Sequence, residues 1–180
     1  METAVKSKWV VDAAHSEVHF RVKHLVISTV TGTFKVFDGN FIAEGESFEG
    51  AEIDFSLDAG SVDTNQEQRD EHLRSADFFD AEKYPRISFR STSFHKKEDD
   101  EFELLGNLTI KDVTKPVKMN VEFGGLATDF YGNIKAGFEI TGKINRKDFG
   151  LTWNGITEAG AIVVGEEIKL NINLQFAKQV

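Results

Sequence analysis

The chain has 180 residues, no cysteine and a formal net charge of -9, with 30 acidic residues dispersed among 21 basic ones. Length and composition predict one globular domain. The missing thiols exclude disulfides and thiolate chemistry, and the interspersed acidity argues against a nucleic-acid partner.

The first seven residues read as a tail, and the opening M-E-T-A-V-K-S-K-W-V-V-D holds no apolar run of signal-peptide length. A cytoplasmic location is therefore expected, or a periplasmic one if a leader has been removed. No later window approaches the ~20 apolar residues of a membrane helix.

From Trp9 onward the dominant signal is alternation. Trp9 to Asp12 opens a first strand, and Val18, Phe20 and Val22 share one face of the next, with Glu17, His19, Arg21 and Lys23 on the other. Residues 33–43 read as strand with a turn at Asp38-Gly39. Ile53, Phe55 and Leu57 continue the pattern.

Asn65 to about Ser75 then reads as helix, with Thr64 and Glu67 placed as a capping box and an apolar stripe limited to Leu73 and Ala76. So weak a stripe cannot hold a helix alone. The segment is expected to lie across a barrel opening, with Phe78 and Phe79 plugging it.

Beyond it, Ile87 and Phe89; Phe102, Leu104, Leu108 and Ile110; Val117, Met119, Val121 and Phe123; Ile134, Phe138, Ile140 and Ile144; and Ile168, Leu170, Ile172, Leu174 and Phe176 all keep period 2. Turns are expected at the Lys96 to Glu101 charge cluster, at Gly124-Gly125 and at Gly132-Asn133.

Eight or nine long strands with one dry face predict an antiparallel sheet closed on itself. Small residues in phase with the large apolar ones, at Ala59, Ser61, Ser91, Ser93, Gly106, Ala136 and Gly142, leave two alternatives open. Either they leave room for a ligand, or they face the phenylalanines of opposite strands and close the core.

Few residues suggest chemistry. His19 and His24 fall on opposite faces of one strand, no paired metal-ligand spacing occurs, and the calcium-like start at Asp63, Asn65 and Glu67 lacks its glycine and terminal glutamate. Neither metal nor cofactor is expected. Arg146 and Asp148 share the inward parity of Ile140 and Ile144, which suggests either a barrel-end salt bridge or a polar headgroup site.

Four blocks, W-V-V-D-A-A-H-S-E-V-H-F-R-V-K-H, S-V-D-T-N-Q-E-Q-R-D-E-H-L-R-S-A-D-F-F-D-A-E-K-Y-P-R-I-S-F, L-T-I-K-D-V-T-K-P-V and I-N-R-K-D-F-G-L, resemble the YceI-like family over about Trp9 to Phe176. The resemblance implies an extended eight-stranded antiparallel lipocalin-like barrel with a short capping helix. It also implies a tunnel for a polyisoprenoid or other long-chain amphiphile, usually without catalysis. Many relatives are exported, whereas this chain reads as a cytoplasmic version, and Asp112 stands where the family commonly has glycine.

The expected function is binding, sequestering or transporting a polyisoprenoid, an isoprenoid quinone or a fatty acid or amide. By strand parity the expected tunnel wall is Phe20, Val22, Phe55, Leu57, Phe89, Leu108, Val121, Phe138, Ile140 and Leu170, with His24, Arg146 and Asp148 as headgroup contacts. Two alternatives are a lipid- or quinone-modifying enzyme using His24 or His15, and a ligand-free dimeric scaffold with a filled barrel.

Overall fold

A computed structural model of the chain describes residues 5–45, 47–154 and 164–180. The alternating segments form strands β1 (Lys6–Val11), β2 (Glu17–His24), β3 (Ser28–Phe34), β4 (Phe37–Glu44), β5 (Glu52–Asp58), β6 (Val62–Asp63), β7 (Arg86–Glu98), β8 (Glu101–Ile110), β9 (Val113–Thr128), β10 (Ile134–Asn145) and β11 (Val164–Lys178), with one helix, α1 (Glu67–Arg74).

These strands make eight staves. β1 and β2 follow one another along the same edge of β11; β3 and β4 form the next stave; β5 runs on into β6; and β7 to β10 return to the other edge of β11. Every pairing is antiparallel, and the β1–β11 ladder closes the ring. The structure is the closed eight-stranded barrel that the alternation and the resemblance lead one to expect, and closure leaves no long sheet edge unpaired.

The corner between β1 and β2 shows how local chemistry mends a broken ladder. Asp12 N donates to Gln175 O at 2.7 Å, Gln175 N donates to the Ser16 hydroxyl at 2.9 Å, and that hydroxyl donates to Asp12 O at 2.7 Å. Side chain thus replaces strand partner where the chain bends. The Asp12 carboxylate receives Lys135 Nζ at 2.6 Å and the His15 ring at 2.8 Å. Lys135, chiefly, holds the Asp12 carboxyl below its ordinary value, against the opposing effect of burial.

Two of the four expected turns are not turns. Asp38-Gly39 lies inside β4, and Gly124-Gly125 inside β9, beside a register shift at Gly137/Phe138. Gly39 serves packing: a Cβ there would come within 2.6 Å of the Phe55 ring across the ladder. Gly32 under Phe20 and Gly106 under Phe89 repeat the device, each ring covering a backbone that has no side chain. Ala59 and Ser61 belong to a 3-10 turn rather than to a strand. After β8 the left-handed residue is Lys111 (φ 57), so Asp112 does not take the turning role.

Two measurements test this reading. Gly106→Ala should lower stability by about 1–3 kcal/mol in denaturant unfolding, because its Cβ would meet the Phe89 ring at 2.3 Å and Arg90 O at 2.6 Å. Gly137→Ala, with nothing within 4 Å, should change it by less than about 0.5 kcal/mol.

Asp12→Asn should cost about 1–2 kcal/mol at neutral pH. A depressed folded-state pKa contributes stability that is complete above the ordinary aspartate value of about 3.9 and is lost as pH falls through the lower folded value. The two proteins should therefore converge in stability below that window.

Candidate functional site

The barrel interior divides into a filled half and a hollow half. In the filled half Trp9, Phe41, Phe48, Phe123, Phe138 and Phe176 meet edge to face, stacked or, for Phe123–Phe138, tilted, with centroids from 4.8 Å (Phe41–Phe176) to 5.8 Å (Phe41–Phe138, Phe138–Phe176). Phe48 comes from the β4–β5 connection and folds into that end as a stopper. Edge-to-face rings at these spacings interact favourably beyond the area they bury.

The hollow half is a cavity of about 190 Å³ whose free wall surface is apolar throughout. At about 15 Å³ per water-sized group, that is room for on the order of ten CH2-sized groups. Of the ten residues expected to line a tunnel, Phe20, Val22, Phe55, Leu57, Phe89, Leu108, Ile140 and Leu170 border this cavity.

Val121 and Phe138 do not. They border a separate void of about 40 Å³ among the plug rings, because the parity that points a side chain inward says nothing about its height in the barrel. The expected wall also omitted Phe34, Ile53, Leu104, Met119 and Ile168, although the last four share the inward parity of the residues it named.

The small in-phase residues do not make the cavity. Gly106 and Gly142 are covered by Phe89 and Met119, and Ser91 turns its hydroxyl to the Ile53 N–H at 2.8 Å beside a register shift. The hollow comes instead from aliphatic side chains that end short of the axis, closed above by the segment following β6.

That segment is the lid. Leu73, Phe78 and Phe79 border the cavity from its open end, and Phe79 meets Phe34 edge-on at 5.7 Å. Thr64 does not cap α1: the N-cap is Gln66, with no side-chain bond. Thr64 instead donates its N–H and hydroxyl to buried Asp70 Oδ1 and accepts from Arg69 through both hydroxyl and carbonyl, each at 2.7 Å. The helix is thus latched to the end of β6 by a carboxylate of its own first turn. His72 meets Phe78 at 5.1 Å and Trp153 at 4.5 Å, both edge to face, and pairs with Asp77 at 2.9 Å. The latch and Trp153 escaped the sequence reading, since neither has a periodic signal.

Arg146 is 2% exposed and borders the cavity beneath the lid. Its N–H groups donate to four carbonyls: Gly165 at 2.8 Å, Leu151 at 2.6 Å, Trp153 at 2.8 Å and Val164 at 3.2 Å. Burial lowers its pKa from the ordinary arginine value, with Glu166 opposing, yet guanidinium remains charged in proteins.

Asp148 is not its partner. The strand ends at Asn145, a 3-10 turn runs from Arg146 to Phe149, and at three residues per turn Asp148 faces solvent. His24 also falls away from the cavity: it stands opposite Val164 at the rim, where β2 gives way to a turn. His15 is exposed beside Asp12, and His19 points outward to Glu17 at 2.9 Å. Among the described residues no three His, Asp or Glu side chains converge as a metal site, and no helix is long and apolar enough to cross a membrane.

Comparison with known proteins agrees with this architecture. The YceI-like domain model matches residues 9–176. The protein YceI of Salmonella newport is 40% identical over 179 residues, covering 98% of this chain and 90% of its own. A Campylobacter jejuni YceI crystal structure is 33% identical, with TM-score 0.75, and covers 100% of this chain and 99% of its own.

Burkholderia cenocepacia BcnA shares the fold at TM-score 0.80 and 21% identity, over 92% of this chain and 98% of its own. A polyisoprenoid binding domain from Saccharophagus degradans does so at TM-score 0.70 and 17% identity, over 98% of this chain and 100% of its own. The protein described here belongs to the YceI-like family.

Proposed function

We propose that the protein binds a long-chain amphiphile (a polyisoprenoid, an isoprenoid quinone or a fatty acid or amide) with its tail in the apolar cavity, and that it holds or carries this molecule without altering it. The supporting observation is the hollow half of the barrel, capped by Leu73, Phe78 and Phe79. The shared barrel of the Saccharophagus degradans domain, which binds polyisoprenoid, is consistent with the same class of ligand.

The tail contacts we assign are Phe20, Val22, Phe55, Leu57, Phe89, Leu108, Ile140 and Leu170. Burying about ten CH2 groups at about 0.8 kcal/mol each gives roughly 8 kcal/mol before ordering and association costs. A longer tail has two exits: past the lid, or past the rings that separate the cavity from the smaller void, with which it shares Ile53, Leu104, Ile140 and Leu174. Of the three headgroup candidates we retain Arg146, which spends four of its five N–H donors on carbonyls of described residues and gives the fifth to no described residue.

An enzymatic reading would need a titratable pair at the cavity, and the described wall offers only Arg146 and the outward-facing His19. The reading as a ligand-free scaffold, dimeric or not, draws on the aromatic plug, which does fill half the barrel.

Solvent extraction combined with native and denaturing mass spectrometry of detergent-free protein separates these readings. One long-chain species per chain is expected; no ligand, even after incubation with quinones and fatty amides, would leave the filled scaffold. Ile140→Trp and Leu170→Trp should each reduce bound ligand roughly tenfold, with melting lowered by only a few degrees. Phe138→Trp, in the plug, should lower stability more than ligand content.

Arg146→Met removes the donor from four carbonyls, of which Val164 O keeps Asn154 Nδ2 at 2.9 Å, and should cost about 3 kcal/mol or more in denaturant unfolding. Arg146→Lys, which keeps the charge but not the fork, should recover only part of it.

A further inference from the structure

The outer surface of the barrel carries an arrangement that the cavity does not explain. In the ladders joining β10, β11 and β2, Lys143 stands directly opposite Lys169, and Lys169 directly opposite Arg21. Lys23 lies two residues along β2 on the same face, and all four side chains are exposed. Like charges directly opposite one another destabilise a sheet.

Among the described residues none of the four is in a salt bridge, although the chain has 30 acidic residues to supply one. Glu167, opposite Asn145, is the acidic neighbour on β11; Glu166 is taken by Lys147 at 2.8 Å. Among the described residues Lys23 Nζ reaches only the Thr29 hydroxyl, at 3.3 Å.

The hairpin that follows Lys23 is unfavourable in a second way. In the three-residue loop between the paired His24 and Ser28, Leu25 (φ 54) and Val26 (φ 66) both have left-handed backbone, a conformation that favours glycine or asparagine. A β-branched residue is strained there. Val26 and Ile27 are moreover 73% and 87% exposed. Strain and exposed apolar surface therefore coincide at one tip.

The location unites these features. His24 pairs with Val164, and Val22 and Val164 border the same cavity as the lid residues, so tip, cations and cavity mouth lie at one end of the barrel.

We propose that this end docks on an anionic lipid bilayer. Val26 and Ile27 enter the interface, Arg21, Lys23, Lys143 and Lys169 lie against lipid phosphates, and the mouth faces the surface from which the ligand comes. The proposal rests on the lipid-binding reading of the cavity. Apolar insertion and basic attraction are complementary on such a surface, and the attraction is screened by salt. With a net charge of -9 the molecule as a whole is repelled by such a surface, and the unpaired basic row is what opposes that repulsion.

The test is co-sedimentation with phosphatidylcholine vesicles containing about a third phosphatidylglycerol, against phosphatidylcholine alone, in low and high salt. Wild type should bind the anionic vesicles in low salt roughly tenfold better than either control. Changing Lys169→Glu, which sets a carboxylate opposite both Lys143 and Arg21, should remove most of that preference while keeping or raising the melting temperature, since the like-charge row is relieved.

Val26→Gly should bind vesicles more weakly and melt higher. Phe130→Ser with Tyr131→Ser, on the exposed β9–β10 hairpin at the opposite end, should bind as wild type. Absent binding, equal binding to neutral vesicles, retention of binding in the charge and turn variants, or its loss in the Phe130 variant would each overturn the proposal.

Diphenylhexatriene fluorescence without vesicles reads the cavity separately. Uptake should be the same in wild type and the charge variant, and no uptake by wild type would overturn the cavity reading itself.

Discussion

The whole barrel depends on β11. One edge of this strand pairs with β10 from Lys135↔Ala177 to Asn145↔Glu167, and its other edge must serve both β1 and β2. Two short strands can share one long edge only if the backbone groups at their junction find other partners, because buried unpaired amides are costly. Ser16 and the Asp12 backbone provide them at Gln175, and Lys135 holds the Asp12 carboxylate in place. Ring closure, and with it an enclosed interior, follows from that junction.

Once closed, an eight-stranded ring is about as wide as the side chains that fill it. Whether a level is solid or empty then depends on which residues face the axis there. Six aromatic rings fill one end; shorter aliphatic side chains leave the other open under α1 and the Phe78-Phe79 pair. The filled end supplies much of the apolar burial, so the hollow end can exist without the fold depending on it. The Thr64–Asp70 latch and the carbonyl clamp of Arg146 secure the cover of that hollow end from two sides.

Most of the strand framework was legible in period-2 alternation, since one face of each stave meets the core and the other meets water. The place of the lid was legible too, because a helix with so little apolar surface needs a barrel to lie on. Glycine was the least reliable guide. Gly39 and Gly124-Gly125 read as turns, but inside a sheet glycine also admits a neighbouring ring or a register shift, and the sequence does not distinguish these uses.

The sequence by itself determined the antiparallel barrel, the inward face of each strand and the absence of any thiol chemistry, because these depend on local periodicity and composition. Only the tertiary structure decided the height of each inward residue along the barrel. That height separates Ile140 in the cavity from Phe138 in the plug two residues away. It also decided that Arg146 clamps a loop while Asp148 faces water, and that Lys143, Lys169 and Arg21 stand in one row. Register between strands distant in sequence is set by ladder pairing around the closed ring, and no local pattern encodes it.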